Sequence, residues 1–332
     1  MVLACALPAP AQSSVQTFPV GASPVVRIQA RSADLTIRTW NRSQVQISSA
    51  QAVQARTFGP LAVQRAIPSG DIPIFSTTSQ SPNGPVSLTS EDFPVDGIAG
   101  SPHDGVIIFG GDAGQTMTVT VPAGTALVIA GVGAGAIHAN DLHTALVALV
   151  HNGIVQVGNS SGEAFLEAAR GGIVVRNSGF DRIRARSAVG SIFLQNCNVR
   201  QIEASTVYGH IAFDNGTFAP GLARFETQHG NIALGVASGG LQVGAHAGGG
   251  RVIGAFNPGG GSVNGTGSDA QAQINGGGGP LVTAITNQGS VVLYNGSMRA
   301  NQRINQWMPH PRQAPRMFAP KARTCAGRRC RV

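Results

Sequence analysis

Between residues 25 and 49 apolar side chains fall at every second position: Val26, Ile28 and Ala30, then Leu35 and Ile37, then Val45 and Ile47. Successive side chains of an extended chain point to opposite faces, so a period of two predicts half-buried strands. Ser32-Ala33-Asp34 and Asn41-Arg42-Ser43 interrupt the alternation and read as turns. Residues 66–104 are rich in Pro, Ser, Gly and Asp and lose the pattern, so a long, poorly ordered insertion is expected there. Strands are expected again at 106–109 and 117–121, followed by a turn at Pro122-Ala123-Gly124.

From residue 127 to 293 a second pattern takes over, in which a glycine is followed two and four residues later by apolar side chains. It pairs Gly135 with Ile137 and Ala139, Gly153 with Val155 and Val157, and Gly171 with Ile173 and Val175. It continues through Gly190 with Ile192 and Leu194, Gly209 with Ile211 and Phe213, and Gly230 with Ile232 and Leu234. A late copy is Gly289 with Val291 and Leu293. The first six glycines are 18, 18, 19, 19 and 21 residues apart. A second apolar doublet lies between glycines, as at Leu166/Ala168, Ile183/Ala185 and Ile202/Ala204.

One such repeat cannot bury its own inward face. Stacking repeats about 4.8 Å apart buries a shared core and pairs each backbone with the coils above and below. A glycine at the corner permits a positive φ where a side chain would clash. The predicted fold is therefore all-β: a repetitive β-solenoid, a parallel β-helix-like stack of roughly 19-residue coils, with disordered termini. The chain divides into a remnant signal peptide or disordered leader (1–12), an N-terminal β segment with the long loop (25–121), the β-repeat solenoid (122–296) and a basic disordered tail (297–332). Residues 236–285 are dense in glycine and keep the rhythm badly, so loosened coils are expected there.

Residues 117–128, Met-Thr-Val-Thr-Val-Pro-Ala-Gly-Thr-Ala-Leu-Val, lead into repeated units of the form Ser/Thr-x-x-Gly-x-Ile-x-Leu. These units begin at Ser187, Thr206, Thr227 and Thr286. Over residues 25–295 the chain resembles the DUF4097 family of β-strand-repeat, adhesin-like proteins, in which a V-P-A-G turn precedes T-x-S-G-D-I-x-V coils. The resemblance implies an envelope or surface protein and no established reaction. The family's Asp after the glycine is replaced here by Ser191, His210, Asn231 and Ser290, which argues against a calcium-binding ladder of Asp residues.

Composition supports strands joined by tight turns: 45 glycines in 332 residues and only 11% charged residues. The net charge of +8 belongs to the tail, because nine of the 23 Lys and Arg lie from Arg299 onward with no acid among them. The near-neutral body argues against a specific nucleic-acid groove. The tail suits envelope polysaccharide, anionic lipid headgroups or another protein as a non-specific partner, or serves only as a solubilising extension. Ala9-Pro10-Ala11 has the form of an export-cleavage site, although no basic segment precedes it. Cys325 and Cys330 are close enough for a small disulfide loop, or stand as two thiols; Cys197 reads as a small buried apolar residue.

No catalytic, cofactor or metal residue is assigned. Asp141, Asp181 and Asp214 are the acids a carbohydrate-active β-helix enzyme would have to converge, yet they share no phase with the glycines. Turn-capping is the plainer reading. Tyr208 and His229 each precede a repeat glycine and are expected to stack in one outward column, with His151 one place out of phase. Such a column suits a sugar or, with enough ligands, a metal; an ordinary exposed corner is the plainer reading. Gly248 to Arg251 and Gly276 to Pro280 lack the Lys and the helix of a phosphate loop, and Ser160-Ser161-Gly162 is not a nucleophile elbow. The expected function is that of an exported, non-enzymatic surface protein of adhesin-like character. A β-helix lyase or hydrolase and a cytoplasmic self-assembling scaffold are the alternatives. Open coil ends would favour end-to-end self-association unless capped.

Overall fold

A computed structural model describes residues 14–62, 102–110, 114–265 and 267–297. Every regular element among them is a β-strand. Six precede the repeats: β1 (Ser14–Pro19), β2 (Val25–Trp40), β3 (Gln44–Ser49), β4 (Gln54–Ala62), β5 (Pro102–Gly110) and β6 (Gln115–Pro122). Ten carry them: β7 (Leu127–Asn140), β8 (Ala145–Gly158), β9 (Ser161–Arg170), β10 (Ile173–Arg176), β11 (Gly179–Val189), β12 (Ile192–Gln195), β13 (Asn198–Tyr208), β14 (Ile211–Phe218), β15 (Ala223–His229) and β16 (Ile232–Val236). Six complete the stack: β17 (Leu241–Ala247), β18 (Val252–Ala255), β19 (Gly261–Asn264), β20 (Asp269–Ile274), β21 (Leu281–Gln288) and β22 (Val291–Asn295).

The repeats stack in parallel and in register, as the glycine spacing predicts. Val155, Ile173, Ile192, Ile211, Ile232 and Val291 are successive partners in one column, and each is fully buried. They belong to one continuous core running from Val26 to Leu293. The change of period from 18 to 19 has a local cause. In β11 the register against β9 slips between Phe180 and Arg182, so Asp181 is bulged out as the extra residue. Beyond the bulge Ala164 faces Ile183 and Leu166 faces Ala185, and all four stay buried.

The stack does not follow chain order at either end. β2 pairs with β7 on one side and with β5 and β6 on the other, so β2, β5 and β6 form the first layers of the stack. At the far end β21 lies between β15 and β17, and β22 between β16 and β18. The rhythm fails through 236–285 because the chain steps over one layer and returns to fill it. Gly289 therefore continues the corner begun by Gly230 after 59 residues. β5 already begins at Pro102, so the end of the 66–104 stretch is strand; residues 66–101 lie outside the described residues, as do the leader, Cys5 and the tail with Cys325 and Cys330.

Antiparallel strands finish both ends. β4 covers β5, β3 covers β6 and is covered by β1, and β20 covers β17 and is covered by β19. Antiparallel caps satisfy edge groups that a bare parallel coil would offer to another molecule. Open coil edges are thus covered at β5, β6 and β17, whereas β18 pairs with β22 alone among the described strands. β16 is buried on both faces and β22 nearly so, the outer side carrying Ala233, Val292 and Tyr294.

Candidate functional site

The repeat glycines form one corner of the stack. A β-carbon on Gly153, Gly171, Gly190, Gly209, Gly230 or Gly289 would run into the carbonyl of the glycine one layer before it, and on Gly135 into the Ala33 carbonyl. The close approach of backbone to backbone, more than the dihedral angle, excludes other residues. Gly135, Gly153, Gly171, Gly190 and Gly230 have φ between 127° and 155°. Gly209 and Gly289 lie outside that region and are just as tightly packed. Gly250 is a further rung, set against the Gly289 carbonyl, which the sequence pattern did not single out.

The Ser or Thr three residues before the glycine has a defined task. Ser187, Thr206, Thr227 and Thr286 are buried, and their hydroxyls donate to the carbonyls of Gly171, Gly190, Gly209 and Gly230 at 2.8–3.0 Å. The residue after the glycine accepts a backbone N–H from the next layer. Ser191 Oγ accepts from His210 at 3.1 Å, His210 Nδ1 from Asn231 at 2.9 Å, Asn231 Oδ1 from Ser290 at 2.9 Å and Ser290 Oγ from Arg251 at 3.3 Å. Any short side chain with an acceptor serves here, which accounts for Ser, His and Asn at one position.

Only His210 among these acceptors titrates near neutrality. Accepting through Nδ1 requires the neutral ring with its proton on Nε2. Burial also lowers its pKa below the ordinary histidine value of 6.5. An unfolded histidine would then take up its proton at higher pH than the folded one, so this contribution is present above about 6.5 and lost as pH falls through the folded value. The Tm is expected to drop between about pH 7 and pH 5 in the native protein and to drop less in His210→Asn, whose amide oxygen cannot be protonated there. Equal acid sensitivity in both, measured by circular dichroism, would refute the assignment.

Asparagines build a second corner that the sequence reading missed. Asp141, Asn159, Asn177, Asn196 and Asn215 recur 18–19 residues apart with φ of 50–57°. Asn and Asp tolerate this left-handed conformation better than other side chains with a β-carbon. Asn196 donates its amide to Asn177 Oδ1, and Asn215 to Asn196 Oδ1, both at 2.9 Å. Inside this corner Ser160 Oγ accepts the Leu142 N–H and Ser178 Oγ accepts the Ser160 N–H. Cys197 follows in that position and directs its thiol at the Gln195 carbonyl, 3.4 Å away. Burial pushes this thiol up to about 11. Cys197 is expected to resist iodoacetamide at neutral pH in the folded protein and to react after denaturation. Peptide mapping that finds it labelled in the folded state would contradict this.

The three acids do not converge. Asp141 opens the asparagine corner, Asp181 is the exposed bulge, and Asp214 is buried one residue before Asn215. Four layers separate the corner positions 141 and 215, roughly 19 Å. Asp214 accepts from Tyr294 Oη at 3.1 Å and from Gln195 Nε2 at 3.2 Å. It is thus a buried acceptor rather than a turn cap; burial, then its charge, holds the Tyr294 phenol well above its ordinary value. The glycine runs are turns: Gly276, Gly277 and Gly278 all have positive φ, and the Gly250 N–H bonds the Ala247 carbonyl at 3.2 Å.

Tyr208 and His229 do share a column. They are register partners, and their rings stack 4.6 Å apart at 6°. His229 Nδ1 lies 2.8 Å from Gln288 Oε1, which extends the row by a polar contact. The column continues as Asn152, Arg170, Val189, Tyr208, His229 and Gln288, one residue per layer. His151 is exposed one place off this row. Val189 and Tyr208 are 50% and 54% exposed, high for side chains of that size. No group of three His, Cys, Asp or Glu that could hold a metal ion occurs among the described residues.

No family model matches the chain, and no curated protein is similar to it. A crystal structure described as a "putative cell adhesion protein" from Clostridium sporogenes matches at 8% identity. The match covers 86% of this chain and 100% of that one with a TM-score of 0.21, too low to carry an argument about fold or function.

Proposed function

We propose that the protein is exported and acts at the cell envelope as a non-enzymatic, adhesin-like binding protein of the DUF4097 type. The observation that carries this reading is the continuity of its exposed columns. Strict layer-on-layer register turns single residues of each coil into straight rows of side chains on a rigid core, a surface suited to extended partners. The Ser/Thr-x-x-Gly-x-Ile unit supports the family resemblance, since each of its residues has a structural task in the corner. The basic tail supplies a non-specific attraction to anionic envelope polymers.

Fractionation of the native cells, with the protein expressed from its own gene, tests the export step. The protein is expected in the periplasm, on the outer surface or in the medium, with a mature N-terminus at Gln12. Recovery of the intact chain from the cytosol alone would defeat the proposal and favour the scaffold alternative.

A further inference from the structure

The geometry points to a particular partner for one of these rows: we propose that the column Asn152, Arg170, Val189, Tyr208, His229 and Gln288 binds a linear, hydroxyl-rich polysaccharide lying along the glycine corner. This inference rests on the adhesin-like reading above and narrows it to one surface and one ligand class.

Three features of the row set its chemistry. The near-parallel stacking of Tyr208 on His229 uses the facing sides of both rings. The Tyr208 hydroxyl and the imidazole nitrogens of His229 are then the hydrogen-bonding groups this pair offers a ligand along the ring edges. Beside Arg170, Val189 and Tyr208 run small apolar side chains, Ala169 buried and Ala188 and Val207 half-buried, with exposed Val189 in the row itself, while exposed Gln228 and Asn287 stand beside His229 and Gln288. An apolar shelf edged by donors and acceptors matches a sugar ring, which presents C–H groups on its faces and hydroxyls around its rim. Arg170 and Asn152 supply donors at one end, and the Gln288 amide supplies them at the other.

The third feature is length. Six rungs at the inter-strand spacing make a straight row of roughly 24 Å. A monosaccharide touches one or two rungs, whereas a polymer engages several at once, each added contact being intramolecular. Affinity is therefore expected to rise steeply with oligosaccharide length. A compact ligand offers no such dependence.

The test is binding of the full chain to a panel of linear polysaccharides, neutral and uronate-containing, each as polymer, short oligomer and monosaccharide. The panel is repeated with Tyr208→Ala/His229→Ala and with Val189→Asp. Both variants change exposed or half-exposed side chains outside the core, and circular dichroism checks that the stack persists. The native protein is expected to bind at least one polymer, with affinity falling about tenfold or more in each variant and in the monosaccharide. A selective loss of uronate polymers in Arg170→Ala would assign the charged member of the class. Polymer binding unchanged in both row variants would overturn the inference while leaving an adhesin that binds elsewhere. No binding to any polysaccharide would overturn the ligand class and leave the envelope proposal to the fractionation result.

Discussion

Replacing Gly171 with alanine is expected to cost at least about 4 kcal/mol and to leave no cooperatively folded stack. The added methyl would occupy space held by the Gly153 carbonyl and carbon, which belong to the backbone of the layer below. Backbone cannot rotate aside as a side chain can. The layers would have to part, and the bonds from Ser187 to the Gly171 carbonyl and from the Gly171 N–H to the Val189 carbonyl would be strained with them. Gly171 also has φ of 138°, unfavourable for any residue with a β-carbon. Gly59 is the control: it lies in β4 with no atom near the position of an added methyl. Gly59→Ala is expected to change stability by no more than about 0.5 kcal/mol. Urea unfolding of the two variants side by side checks the contrast; a Gly171→Ala protein as stable as the control would refute the ladder.

Ending the chain at Gly279 is expected to be equally damaging, although it removes only the last two strands and the tail. β21 and β22 are an internal layer, so their loss opens a gap between β15–β16 and β17–β18. Val282, Val291 and Leu293 are fully buried there. Each such side chain contributes roughly 1.5–3 kcal/mol of burial. Their sum alone approaches the net stability of about 5–15 kcal/mol typical of a folded protein. The truncated chain should be protease-sensitive from β15 onward, while a chain ending at Ser297 keeps the layer and serves as reference. Resistance of β15 to β18 in the shorter chain would mean that the remaining strands close the gap unaided.

The parts of this fold that were legible in sequence are those where physics allows few residue types. The glycine period was readable because backbone touches backbone at every corner from Gly135 to Gly289, and only a residue without a side chain fits. The buried column from Val155 to Val291 was readable because a shared dry interior requires aliphatic groups in one phase. The asparagine corner repeats as regularly, but Asn and Asp are common in any loop, so Asn177 or Asn196 alone carries little signal. Ser, His and Asn after the glycine argue in sequence only against an Asp ladder for calcium. In the structure the position requires an acceptor, which Ser191, His210 and Asn231 all meet.

The broken rhythm of 236–285 marked that the coils change there but not their order, since β17, β20 and β21 show the same buried-exposed alternation whichever neighbour they take. For the exposed row, the glycine phase located Tyr208 and His229, whereas Arg170, Val189 and Gln288 share no residue type and emerged only from register.

The far end of the stack also bears on synthesis. β17 and β18 leave the ribosome before the layer they rest on, which comes last. Translating residues 241 to 295 takes roughly 3–10 s at about 5–20 residues per second. During that interval β17 and β18 lack their parallel partners β21 and β22. A solenoid built in simple order can wind up layer by layer as it is made. This one closes its far end only when its final coil arrives.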